Sequence, residues 1–183
     1  MTHEHAEVSF ADEPLILVDE HDREIGFASK QRCHEGEGLL HRAFSVFLFD
    51  PAGRLLLQQR ANSKPLWPGY WANSCCSHPR RGETVEEAAH RRLGEELGVA
   101  AKLEVLFSFT YHARYRDLGS ERELCWVLAG PLSGELRPNP NEVAAWRFVS
   151  VDELDAELAT RPDLYSPWLH LEWPRVKALR AST

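Results

Sequence analysis

Gly82-Glu83-Thr84-Val85-Glu86-Glu87-Ala88-Ala89-His90-Arg91-Arg92-Leu93-Gly94-Glu95-Glu96-Leu97-Gly98 is the stretch on which the fold turns. Thr84 with Glu87 three residues on forms a capping box, which satisfies free donors at a helix start. Gly98 suits the residue that closes a helix. Between them Val85, Ala88, Ala89, Leu93 and Leu97 recur at helical spacing, so the sequence predicts an amphipathic helix with secure ends. Winding the positions at ~100° per residue places Arg92 and Glu96 inside the apolar arc, between Val85 and Ala89. An unpaired buried charge is costly, so compensation is required. Either Arg92 and Glu96 pair with each other one turn apart, or Glu96 holds a hard cation such as magnesium while Arg92 meets the anion that cation also binds.

The segment before it, Asn73-Ser74-Cys75-Cys76-Ser77-His78-Pro79, sets a thiol two residues before an imidazole. Cys76 and His78 are either a small buried residue beside a surface one, or two groups of one site with the helix. Upstream, Leu15 to Val18 and Ile25 to Ala28 read as short strands around a polar turn, with Lys30 in a polar connection after them. His34 and His41 flank the acidic, flexible Glu35-Gly36-Glu37-Gly38; each is an ordinary histidine unless further ligands are found. Ala43 to Phe49 and Leu55 to Gln59 form a hairpin around Asp50-Pro51-Ala52-Gly53. Arg60 and Lys64 then precede the aromatic Trp67-Pro68-Gly69-Tyr70-Trp71, as solvated surface or as cations awaiting an anion.

Downstream, Leu103 to Tyr111 reads as a strand ending near Tyr111, followed by a polar loop from Arg114 to Ser120. In Glu121 to Leu128, period two puts Glu121, Glu123 and Cys125 on one face. That face is either solvated or, with the three histidines, a mixed nitrogen and oxygen site for zinc or manganese. Trp146 to Val149 is a further strand, Ser150 with Glu153 caps a helix to Thr160, and Ser166-Pro167-Trp168 opens another that Pro174 should kink or divide.

A chain of 183 residues, 43% of them hydrophobic, can bury a full core, and nothing in it divides domains. The reading is one compact α+β domain over 13–181 behind a disordered N-terminal tip, 1–12, whose His3 and His5 could bind metal only casually. The net charge of -7 argues against a nucleic-acid surface. Four unevenly spaced cysteines, two of them adjacent, read as reduced thiols and so as a cytoplasmic protein. No run approaches membrane-spanning length. No obligate protein partner is indicated.

Ser77 to Val99 resembles a degenerate Nudix box, with Glu83, Arg91, Glu95, Glu96 and Gly98 in register. Ser77 stands where that motif has Gly, and Arg92 where it has the Glu after Arg, a magnesium ligand of ordinary Nudix hydrolases. Together with the Cys loop, Arg60 to Trp71 and Ser166-Pro167-Trp168, the stretch from about Leu15 to Trp168 is similar to the type I isopentenyl-diphosphate isomerases. The resemblance implies a Nudix-like mixed sheet sandwiched by helices, and interconversion of isopentenyl and dimethylallyl diphosphate through a carbocation. It implies Cys76 and Glu123 as acid and base, Tyr111 assisting Glu123, and His34, His41, His78, Glu121 and Glu123 around one manganese, zinc or magnesium ion. It further implies that Glu96 binds the magnesium accompanying the diphosphate, with Lys30, Arg60, Lys64 and Arg92 holding that diphosphate. Trp168 is the first candidate for a wall that stabilises the cation, ahead of Trp67 and Trp71. Cys75 is expected only to pack. The alternative is a Nudix hydrolase of a nucleoside or isoprenoid diphosphate, which needs neither the Cys loop nor the strand carboxylates.

Overall fold

The computed structural model describes residues 6–182. The sheet assembles around β3 (His41–Phe49), nearly all of which is buried, as a strand covered on both faces must be. It pairs with β1 (Pro14–Val18) at Leu17 opposite His41, with β4 (Leu55–Arg60) at Phe49 opposite Leu55, and with β6 (Cys75–Ser77), all antiparallel. Along its other side it runs parallel to β8 (Gly119–Pro131), from His41 beside Glu123 to Phe49 beside Pro131. β2 (Glu24–Ser29) adds to β1, β7 (Glu104–Tyr115) to β8, and β5 (Trp71–Ala72) and β9 (Val143–Val149) to β4. The sheet is mixed and open.

Alternation along β3 builds two layers. Phe44, Val46 and Leu48 pack with Ala88, Ala89, Leu93 and Leu97 of α2 (Val85–Leu97). Phe47 and Phe49 pack with Leu154 of α3 (Val151–Thr160) and with Leu169, Trp173 and Val176 of α4 (Pro167–Ala181). The α+β sandwich therefore has the form read from the sequence. Both capping boxes form, Thr84 with Glu87 and Ser150 with Glu153. Gly98 closes α2 with φ 67°, and a side chain there would also meet the Cβ of Arg137 at 2.9 Å.

Four local expectations change. Lys30 does not sit in a connection but begins the one-turn helix α1 (Lys30–His34), capped by the Ser29 hydroxyl accepting from Arg32 N. The expected polar loop at 114–120 shrinks to a tight turn, because β7 runs to Tyr115 and β8 starts at Gly119, with Tyr115 and Ser120 both buried. Pro174 does not divide the last helix: a proline there costs about 3 kcal/mol, but Trp173 and Val176 beside it are fully packed, at 2% and 0% exposure. Of the expected disordered tip, residues 1–5, with His3 and His5, lie outside the described residues. Residues 6–12 form no helix or strand, but they are tied down as a strap. Ala6 O accepts from Asn139 Nδ2 (2.9 Å), Val8 O from Arg92 Nη1 (2.7 Å), and Ser9 Oγ from Lys30 Nζ. Buried donors reach it across the fold, which local composition does not reveal.

Candidate active site

Register assembles the inner half of the site. Pairing sets His41 beside Glu123 across β3 and β8, Tyr111 opposite Glu123 across β7 and β8, and Ser45 opposite Cys76 across β3 and β6. The face of β8 that carries Glu121, Glu123 and Cys125 is not solvated: the three are 7%, 7% and 1% exposed. α1 brings His34 against the start of β8, where a Cβ on Gly119 would lie 2.4 Å from the His34 carbonyl oxygen. Only glycine permits that approach.

His34, His41, His78, Glu121 and Glu123 then offer donor atoms that all lie within 4.8 Å of one another. The three imidazole centroids are 4.9 to 5.3 Å apart. His34 Nδ1 is 2.6 Å from Lys30 O, and His41 Nδ1 is 2.7 Å from Leu39 O. A carbonyl only accepts, so each Nδ1 carries the proton and each Nε2 is left for the cluster. His34 Nε2 is 2.8 Å from Glu121 Oε2, and His78 Nε2 is 3.0 Å from Glu123 Oε1. His41 Nε2 and His78 Nδ1 are buried with no hydrogen-bond partner among the described residues. Idle buried nitrogens around two carboxylates are a group that could hold a divalent cation. Burial disfavours charge on His34, but Glu121 outweighs it and raises the pKa; burial, then His41 and His34, push His78 well down.

Beside this cluster opens a cavity of about 530 Å³ into which Cys76, Tyr111, Glu123 and Trp168 face. The Tyr111 hydroxyl donates to Glu123 Oε2 at 2.7 Å. Burial opposes charge on Glu123, but His41 and then Tyr111 outweigh it and lower the pKa, while burial and Glu123 push Tyr111 well up. Burial, then Glu172, push the Cys76 thiol far above its ordinary value, so it keeps its proton. That thiol donates to Asn73 Oδ1 at 2.7 Å, and the Trp168 indole donates to the same oxygen at 3.2 Å. Asn73 Nδ2 is spent on Val46 O and Cys75 O, which fixes the amide. Arg60 lies over the Trp168 ring, 5.2 Å from its centroid, and donates to the carbonyls of Leu66 and Trp67. Trp67 meets Trp168 edge-on at 5.5 Å and has φ 48°, an uncommon backbone for an aromatic residue.

Cations line the outer half. Lys30, Lys64, Arg60 and Arg92 all border the cavity, and burial followed by the charges of Lys64 and Arg92 depresses the Lys30 pKa. Arg92 does pair with Glu96, Nη2 to Oε1 at 2.6 Å, inside the apolar arc as helical winding placed them. The pair is part of something larger, since Arg92 also reaches Glu142 Oε2 (3.1 Å), and Lys64 bonds the same carboxylate. Glu96 lies outside the His and Glu cluster, and its Oε2 meets Gln58 Nε2 at 3.5 Å. Cys75 is fully buried packing, and all four cysteines are free. Sequence reading gave no role to Ser45, Asn73, Glu142 or Glu172. Period two on β3 puts Ser45 on the face of His41 and so carried a clue, whereas Glu142 precedes β9 in a loop whose partner is fifty residues away.

Residues 39–169 match the family model of the NUDIX domain. An isopentenyl-diphosphate Delta-isomerase of Nocardia farcinica is 50% identical over 157 residues, covering 85% of this chain and 90% of that one. One from Burkholderia multivorans is 47% identical over 159 residues, covering 87% and 90%. Among solved structures, DR0079 from Deinococcus radiodurans superposes with a TM-score of 0.67 at 25% identity, covering 81% of this chain and 90% of that one.

Proposed function

The chain belongs to the Nudix family and, within it, to the isopentenyl-diphosphate Delta-isomerases, and from that premise we propose how its residues divide the work. The reaction is the interconversion of isopentenyl and dimethylallyl diphosphate. It adds a proton at the terminal alkene carbon and removes another from the far side of a tertiary cation. Two proton-carrying groups must therefore face one dry pocket. The observation that carries the assignment is that Cys76 and the Glu123–Tyr111 pair line a single cavity with Trp168. Cys76, whose thiol burial keeps protonated, and Glu123, whose carboxyl is held ionised with Tyr111 as its hydrogen-bond donor, exchange protons with the alkene. Trp168 offers a π face that favours positive charge without bonding to it, and Asn73 holds indole and thiol in place.

Lys30, Lys64, Arg60 and Arg92 receive the diphosphate at the outer end. His34, His41, His78, Glu121 and Glu123 would hold one manganese, zinc or magnesium ion, and Glu96 the magnesium that accompanies the diphosphate. Such ions would supply fixed positive charge that favours the ionised carboxylates and the bound anion. The free thiols support a cytoplasmic enzyme, and no helix among the described residues is long and apolar enough to cross a membrane. A hydrolase would also use the box carboxylate that follows Arg91, yet that position holds Arg92, a cation paired with Glu95 and Glu96. Incubation with isopentenyl diphosphate, magnesium and manganese should give dimethylallyl diphosphate without free phosphate, and Cys76→Ala should abolish it. Phosphate without the isomer, or full turnover by Cys76→Ala, would refute the assignment.

A further inference from the structure

Behind Cys76, away from the groups assigned above, lies a carboxyl that the reaction as described does not use. Glu172 of α4 is fully buried. Its Oε1 accepts from the Cys125 thiol at 3.5 Å, and its Oε2 has no hydrogen-bond partner among the described residues. No cation among the described residues pairs with it. The polar and titratable groups that influence it are Ser45 of β3 and Cys125 and Glu123 of β8, and it acts in turn on Cys76 of β6. Burial raises its pKa to about 8, so near neutral pH the carboxyl keeps its proton.

The Ser45 hydroxyl occupies the space between these groups. Its oxygen is 3.5 Å from Cys125 Sγ and 3.6 Å from Cys76 Sγ. Cys76 already spends its own proton on Asn73. The sulfur can still accept, and the hydroxyl is the donor beside it.

We propose that Glu172 is a positioning residue for Cys76: with the Cys125 thiol it fixes the direction of the Ser45 hydroxyl, so that Ser45 gives its proton to the Cys76 sulfur and holds the thiol toward the cavity. When a protonated Glu172 donates toward Ser45 and the Cys125 thiol turns its one proton from Glu172 to the same oxygen, the hydroxyl proton is left to meet Cys76. An ionised Glu172 accepts only, and draws the protons of Ser45 and Cys125 to itself. Turnover is therefore supported while Glu172 is neutral and declines as pH rises through about 8. KM should hardly move, since Glu172 neither lines the cavity nor pairs with the cations that take the diphosphate.

The inference rests on Cys76 carrying a proton in the reaction, and Cys76→Ala tests that premise separately. The deciding experiment measures kcat and KM from pH 6 to 9.5 for the metal-loaded wild type, Glu172→Gln, Glu172→Met and Ser45→Ala. The wild type should lose kcat above pH 8. Glu172→Gln, which cannot ionise, should lose that alkaline limb and run about threefold below wild type at pH 7. Glu172→Met and Ser45→Ala should each lower kcat about tenfold with KM within twofold of wild type, and the double variant should fall no further. An unchanged alkaline limb in Glu172→Gln overturns the proposal even if Glu172→Met fails to fold. Wild-type kcat in Glu172→Met, or additive losses in the double variant, would overturn it as well.

Discussion

At the inner end of the cavity His41 Nε2 and His78 Nδ1 lie buried without a hydrogen-bond partner, whereas at the outer end Lys30, Lys64, Arg60 and Arg92 all have acceptors within the protein. The inner groups are set by strand register and by carbonyls that fix two imidazole tautomers, so a cation would find them already arranged. The outer groups are held by ion pairs with Glu96 and Glu142, by the carbonyls of Leu66 and Trp67 and by the strap. A diphosphate there must exchange with partners already present, and its affinity is a difference between two sets of charge-assisted bonds. One end is prepared by idle donors, the other by occupied ones.

Removing Glu142 should expose that difference most strongly. Its carboxylate is shared by Lys64 and Arg92, and all three are buried or nearly so. Glu142→Ala should cost about 3 kcal/mol of folding stability, since breaking a buried pair leaves charge uncompensated. Burial opposes charge on Glu142, but Lys64 and Arg92 outweigh it and hold the carboxyl below its ordinary 4.5. The stability it contributes is therefore present above that value and lost as pH falls through the lower folded pKa. Denaturant titrations at pH 7 and near pH 3 should show a large gap between wild type and variant at the first and a smaller one at the second. Equal gaps would mean that the outer end is not held by this carboxylate.

The inner end should respond to what is added. Manganese or zinc at a hundred times its dissociation constant should stabilise the protein by about 2.7 kcal/mol, read as a rise of several degrees in Tm. His41→Ala should remove most of that rise. Retention of the full shift in His41→Ala would mean that the ion sits elsewhere, and the contrast between idle and occupied ends would fail.

The two ends also differ in how far the sequence discloses them. Helix α2, its capping box and the inward Arg92 and Glu96 were legible because capping and helical period are local. Glu121 and Glu123 could be put on one face by period two, but whether that face meets solvent depends on β3 lying parallel beside β8 and α1 closing over its start. From the residues alone, joining those carboxylates to three distant histidines is one of two open readings, and the resemblance to a family favours it. Glu142 and Glu172 escaped for the same reason, since each acts through a partner brought close by tertiary packing; Ser45 shares the β3 face of His41 by period two, but its partners Cys76 and Cys125 lie on other strands. The strap was misread because its composition is polar and acidic, while what orders it is a set of donors on α1, α2 and the segment before β9.

That strap supplies the smallest effect. Val8 O takes a hydrogen bond from Arg92 and Ser9 Oγ takes one from Lys30, so the segment occupies donors assigned to the diphosphate. Each such bond contributes about 1 kcal/mol net, and a bound diphosphate would have to displace or share it. A variant lacking residues 1–9 should therefore bind substrate more tightly, with KM lowered about three- to fivefold and kcat unchanged. That pattern marks a change in binding common to ground and transition states. The loss of a competitor and the loss of a cover act in opposite directions on KM. A rise in KM would show that the strap closes over the substrate and adds contacts to it, making the outer end a site completed by its ligand.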